Sequence, residues 1–122
     1  MPECPFMQWL IACCEQVARL EKDAAAALDA DNPELYRRVM RQKALLLEAL
    51  YEDAKPLLPA LPGDAAQAAA DRLRRFSASA ARSLELESVF YMSALLFSEN
   101  HTPGEPNDLE LFLADVRRWC GA

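Results

Sequence analysis

The stretch DAAQAAADRLRRFSASAARSLELESVFYMSALLFSE, residues 64–99, holds no proline or glycine and reads as one long helix. At 1.5 Å per residue it would span roughly 50 Å. Ala66, Ala69, Leu73, Phe76, Ala80, Leu84, Tyr91 and Leu95 recur at helical spacing and form one apolar stripe. A stripe of that length needs partners along it, so the rest of the chain is expected to lie against it as a helical bundle. Its first half is rich in alanine and serine, which permits close helix approach. Its second half carries Leu84, Leu86, Val89, Phe90, Tyr91, Met92, Leu95, Leu96 and Phe97 on nearly every side, and a helix apolar all round must be covered all round.

Working toward the N-terminus, Asp64 followed by Gln67 forms a capping-box pattern at the start of this helix. Before it stand Pro56, Pro59 and Pro62, which stop or kink a helix, interleaved with Leu57, Leu58 and Leu61, which keep the bridge apolar enough to pack on the bundle end. Asn32, Pro33 and Glu34 mark the abrupt start of a second helix over about 33–55: a cap, a proline at the first position and an acid at the positive end of the dipole. It carries Tyr36, Val39, Met40, Leu46, Leu47, Leu50 and Ala54 on one side, with Lys43 inside the stripe, its stem able to lead the ammonium outward. The first helix, about 6–30, presents Phe6, Leu10, Cys13, Val17, Leu20, Ala24 and Leu28 in a nearly heptad pattern. So short a turn between them predicts antiparallel neighbours.

Toward the C-terminus, residues 98–106 read as a polar hinge, and Asn107 with Glu110 resembles a second capping box. A short fourth helix follows over about 107–120, stopped by Gly121, with Leu109, Phe112, Leu113, Val116, Trp119 and Cys120 on its apolar side. It is the expected cover for the second half of helix three. The fold class is therefore all-α: an antiparallel helical hairpin or bundle of three long helices plus a short C-terminal amphipathic helix, in one domain of 122 residues.

Composition excludes more than it assigns. A net charge of −6 disfavours phosphate binding, and Arg72, Arg74 and Arg75 read as a solvated helix face, so no nucleic-acid partner is expected. Met1, Pro2, Glu3, Cys4 and Pro5 place an acid where a secretory signal carries a base, and the apolar run Trp9 to Cys14 is short, so neither a signal nor a membrane insertion is expected and the protein reads as cytoplasmic. One histidine, His101, and no Cys-x-x-Cys or Glu-x-x-His spacing argue against a metal or other cofactor. Glu48 with Glu52, and Glu85 with Glu87, lack the spacing of the magnesium-binding pairs of all-α pyrophosphohydrolases, and no set of polar residues converges on a catalytic site, so no enzyme is expected. Cys13 and Cys14 are expected as small core hydrophobes. Cys4 and Cys120 would approach if the two ends of the chain meet.

The segment from Leu20 to Leu50 (Leu-Glu-Lys-Asp, an alanine tract, Asp-Ala-Asp-Asn-Pro-Glu-Leu, then Arg-Gln-Lys-Ala-Leu-Leu-Leu-Glu-Ala-Leu) resembles the helical hairpin of flagellar type III export chaperones of the FliT and FlgN kind. There a short turn precedes a helix carrying Lys or Gln followed by paired leucines. A long third helix and a detachable fourth resemble the FliT branch in layout, while the triple-proline bridge departs from it. The resemblance implies a small cytosolic chaperone that binds the disordered C-terminal segment of a flagellar axial subunit and delivers it to the export apparatus, without a cofactor. Leu46, Leu47 and Leu50 match the hairpin leucines. By layout, Val89, Phe90, Met92, Leu96 and Phe97 would complete the client surface, and Leu109, Phe112, Val116 and Trp119 would form a competing lid whose removal, with residues 105–122, should raise client affinity. The alternative is an obligate homodimer or scaffold protein with the apolar half of helix three as its seam.

Overall fold

The computed structural model describes residues 4–121; Met1, Pro2 and Glu3, read above for the absence of a signal sequence, lie outside them. The described chain is all-helical, with no strand among its residues. Helix α1 runs over Pro5–Asp29 with Pro5 in its first turn and buries Phe6, Leu10, Cys13, Val17, Ala24 and Ala27. The spacing after Ala24 is three, not the four expected, so Ala27 faces inward and Leu28 is 58 % exposed. The turn that follows is a Schellman closure: Asn32 N–H donates to the Ala27 carbonyl at 2.9 Å and Asp31 N–H to that of Leu28 at 3.0 Å, with Asp31 in the left-handed region at φ 54°. Asn32 then caps α2, Pro33–Glu48, by accepting from Leu35 N–H at 3.1 Å. The start of α2 faces the end of α1, where Val39 and Met40 share a cluster with Ala24; its end approaches the start of α1, where Leu47 joins Leu10.

The second helix expected over 33–55 is interrupted. Beyond Ala49 lies a short α3, Leu50–Ala54, and then a 3-10 segment over Lys55–Ala60 that takes up Pro56 and Pro59. Leu57, Leu58 and the buried Leu61 pack on the main core, as the apolar spacing of the bridge predicts.

The helix expected over 64–99 is two helices. Helix α4 covers Ala65–Glu85 and α5 covers Val89–Ala94. Asp64 makes no side-chain cap, because its backbone is already helical (φ −77°, ψ −7°), whereas a capping residue stands in the extended region. Gln67 donates to Asp71 instead, at 3.1 Å. At the far end of α4 a second Schellman closure operates: Ser88 N–H donates to the Ser83 carbonyl at 3.1 Å, Glu87 N–H to that of Leu84 at 3.0 Å, and Glu87 stands at φ 50°. Ser88 accepts from Tyr91 N–H at 3.1 Å and starts α5. A type II turn follows, with Phe97 N–H donating to the Ala94 carbonyl at 3.0 Å and Leu96 at φ 75°, where glycine is usual.

Residues 98–106 are bonded to themselves: Thr102 N–H donates to Glu105 Oε1 at 2.8 Å, and the His101 ring lies 4.8 Å from that of Phe97. Those bonds to Thr102 hold the Glu105 carboxyl below its ordinary range. Helix α6, Asp108–Trp119, opens on the expected capping box, with Asn107 Oδ1 and Glu110 Oε1 each accepting the other's backbone N–H at 2.9 Å. Gly121 ends it at φ 80°.

Candidate protein-binding surface

The chain break between α4 and α5 places the surface features, and it has a local cause. The closure at Glu87 and Ser88 turns α5 away from α4, so α5 packs on α2 and α4. Met92 points inward to Val39, Met40 and Ala44, while the opposite side of this one-and-a-half-turn helix is left bare. Leu86, Phe90 and Tyr91 are 54, 72 and 53 % exposed, with the Phe90 and Tyr91 rings in edge contact at 5.7 Å. Beside them opens a groove of about 400 Å3, floored by Leu95 and Leu96 and walled by Ser79, Arg82 and Tyr91. Three exposed large apolar side chains next to one apolar groove form the concentration of such surface at this elbow.

Behind the elbow sits Lys43. Its side chain is wholly buried, against the expectation that its stem would lead outward, because α5 folds over the position. The ammonium donates to Glu21 Oε2 and to the Ser93 carbonyl, both at 3.2 Å, and stands 4.9 Å from the centre of the Phe97 ring. It thus joins α1, α2 and the last turn of α5. Burial lowers its pKa, and the Glu21 carboxylate opposes that shift.

The residues singled out from sequence divide. Phe90 is exposed, and Leu46, Val89 and Phe97 are half-buried. Leu47, Leu50, Met92 and Leu96 are 7 % exposed or less and belong to the core, with Met92 in a different cluster from the other three. The packing expected for the fourth helix is corrected: α6 lies on α1 and α4, not along α5. Leu109, Phe112 and Val116 are completely buried there and Trp119 is half-buried. The Phe112 ring meets Phe6 at 6.2 Å and Phe76 at 5.9 Å, with the Arg72 guanidinium 4.9 Å above it. Arg72 also bonds Asp115 at 2.8 Å and, with Arg118, holds the Asp115 carboxyl below its ordinary range. The physical reason is the wide apolar end of α1: Phe6 needs a cover, and Phe112 of α6 reaches it.

Leu86 and Tyr91 were missed as surface residues because an unbroken helix would bury them. The signal was the pair Glu87 and Ser88, which repeats the chemistry of Asp31 and Asn32: an acid in the left-handed region followed by a capping side chain.

Among the described residues no group of three His, Cys, Asp or Glu side chains is arranged to hold a metal ion, and no helix is long and apolar enough to cross a membrane. Cys13 is buried and its thiol pushed up to about 11 by desolvation first and the Asp53 charge second. Cys14 donates to the Leu109 carbonyl at 3.8 Å, and burial, ahead of the Glu110 charge, raises it to about 12. Both sit in or against the core. Comparison with protein-family models, with curated proteins and with solved structures returns no match.

Proposed function

We propose that this protein is a non-enzymatic binding protein that receives an apolar segment of another protein at the α4–α5 elbow, and that it serves as a cytosolic export chaperone for a flagellar axial subunit. The observation that carries the binding role is the exposure of Leu86, Phe90 and Tyr91 beside a groove of about 400 Å3. An amphipathic helix laid into such a groove buries its apolar side without covalent chemistry. Two acids on the elbow, Glu85 and Glu87, and a net charge of −6 keep that surface soluble. The client class comes from the resemblance of Leu20 to Leu50 to the chaperone hairpin. In this reading α1, α2 and α4 are the three-helix frame, and α5, not α6, presents the client surface.

Light scattering of the purified protein, alone and with the C-terminal segments of flagellar cap, hook-junction and filament proteins, tests it. A one-to-one complex with one segment, lost in Phe90→Ser, is the expected result. The exposed Phe90 also suits a second reading, a homodimer with the elbow as seam. A dimer that survives dilution, binds no segment and becomes monomeric in Phe90→Ser would replace the chaperone reading.

A further inference from the structure

The four cysteines fall into two classes. Cys13 and Cys14 are occupied by the core, as above. Cys4 and Cys120 also pack against the core, but at the chain ends: Cys4 precedes the first turn of α1, Cys120 follows the last turn of α6, and the packing of α6 on α1 brings these two ends together. Cys4 and Cys120 line one open groove of about 410 Å3 together with Pro62 and Trp119. Both are half-exposed, so a small oxidant reaches them.

We propose that Cys4 and Cys120 form a reversible intramolecular disulfide that staples α6 to α1, with a low-molecular-weight disulfide such as glutathione disulfide as the oxidant. Cys4, as thiolate, attacks one sulfur of that disulfide; a mixed disulfide forms and one small thiolate leaves. Cys120, deprotonated in turn, attacks the Cys4 sulfur, expels the second small thiolate and closes the bond. Two electrons pass from the protein thiols to the oxidant, which ends as two free thiols carrying the two protons. Burial first, and the neighbouring Cys4 second, raise the Cys120 thiol to about 11.

The ring so closed contains nearly the whole chain, and linking such distant positions restricts the unfolded state most. The consequence falls on α6, which carries Phe112 and Val116 into the core. This inference is independent of the elbow and of any client.

The test is oxidation of the reduced, full-length protein with glutathione disulfide, followed by proteolysis and mass spectrometry. The expected product is a monomer lighter by two hydrogen atoms, yielding one peptide that joins Cys4 to Cys120, with a thermal midpoint raised by roughly 5–15 °C and restored by dithiothreitol. Cys4→Ser and Cys120→Ser should each abolish the linked peptide and the shift while leaving the reduced midpoint in place. Covalent dimers through either cysteine, stable glutathione adducts on both without an internal bond, or linkage through Cys13 or Cys14 would overturn the proposal.

Discussion

The hydroxyl of Ser77 stands inside the backbone ladder of the neighbouring helix: Tyr51 N–H donates to Ser77 Oγ at 3.1 Å, and the same hydroxyl donates to the Leu47 carbonyl at 3.1 Å. Residues 47 and 51 are the pair that would bond each other in a continuous helix, so one side chain from α4 replaces one backbone bond and separates α2 from α3. Tyr51 is held again from its ring, where Arg74 bonds the hydroxyl at 2.9 Å and stacks 4.8 Å from the ring centre.

Ser77→Ala removes both bonds at a half-buried site. The expected cost is about 1–2 kcal/mol, measured by urea denaturation. An unchanged midpoint would mean that α2 and α3 close their own bond and that the insertion carries no stability.

Lys43 is destabilised as a cation by burial, and Lys43→Met keeps the volume without the charge. Because that change alone leaves Glu21 and the Ser93 carbonyl without their donor, it is combined with Glu21→Leu, and the double variant should be as stable as the parent or up to about 4 kcal/mol more stable at neutral pH. The sign follows from proton linkage. With the folded pKa below the ordinary 10.5, the unfolded chain binds more protons between those two values, so this residue makes stability rise with pH across that window. Below the window its penalty is fully present; above 10.5 it is gone. Denaturation curves from pH 7 upward should lose this rising component in Lys43→Met.

Glu87 holds a left-handed backbone that costs an ordinary residue about 1–2 kcal/mol. Glu87→Gly is expected to gain about 0.5–1 kcal/mol, because glycine relieves the strain but loses more chain entropy. Asp31→Gly should gain less, since aspartate tolerates that region better. Equal effects at both positions in chemical denaturation would refute the ranking.

Phe112 has no exposed surface and touches three other rings. Phe112→Ala should cost about 3–5 kcal/mol. Removal of residues 105–122 should accordingly unfold the protein instead of raising client affinity, with loss of the cooperative thermal transition as the readout. A truncated protein that stays folded would restore the lid.

Phe90→Ser lies at the other extreme. At 72 % exposure its effect on stability should stay within about 0.5 kcal/mol. Its effect on the partner complex should be a loss of at least about tenfold in affinity, as for an aromatic anchor. Calorimetry on the same samples separates the two quantities.

The sequence by itself determined what depends on local chemistry and period. Pro5, Asn32 with Pro33, the three prolines of the bridge, the capping box of Asn107 and Glu110, and Gly121 all act within a few residues of their own position, and the structure uses each in that way. The inward stripe of α1 followed from spacing, with Leu28 the one misplaced residue. Tertiary structure decided what depends on a distant partner. No local signal in Leu47 to Tyr51 announces that Ser77 will enter their ladder. Residues 64–99 have the propensity for one helix, yet a straight helix would hold its second half beyond the reach of Val39, Met40 and Ala44. Breaking at Glu87 returns Met92 to them, and Lys43 then anchors the Ser93 carbonyl from below. That fold-back costs two left-handed side chains, Glu87 and Leu96, and leaves Phe90 outside. The candidate site exists because burial of one side of α5 outweighs the helical preference of the stretch that contains it.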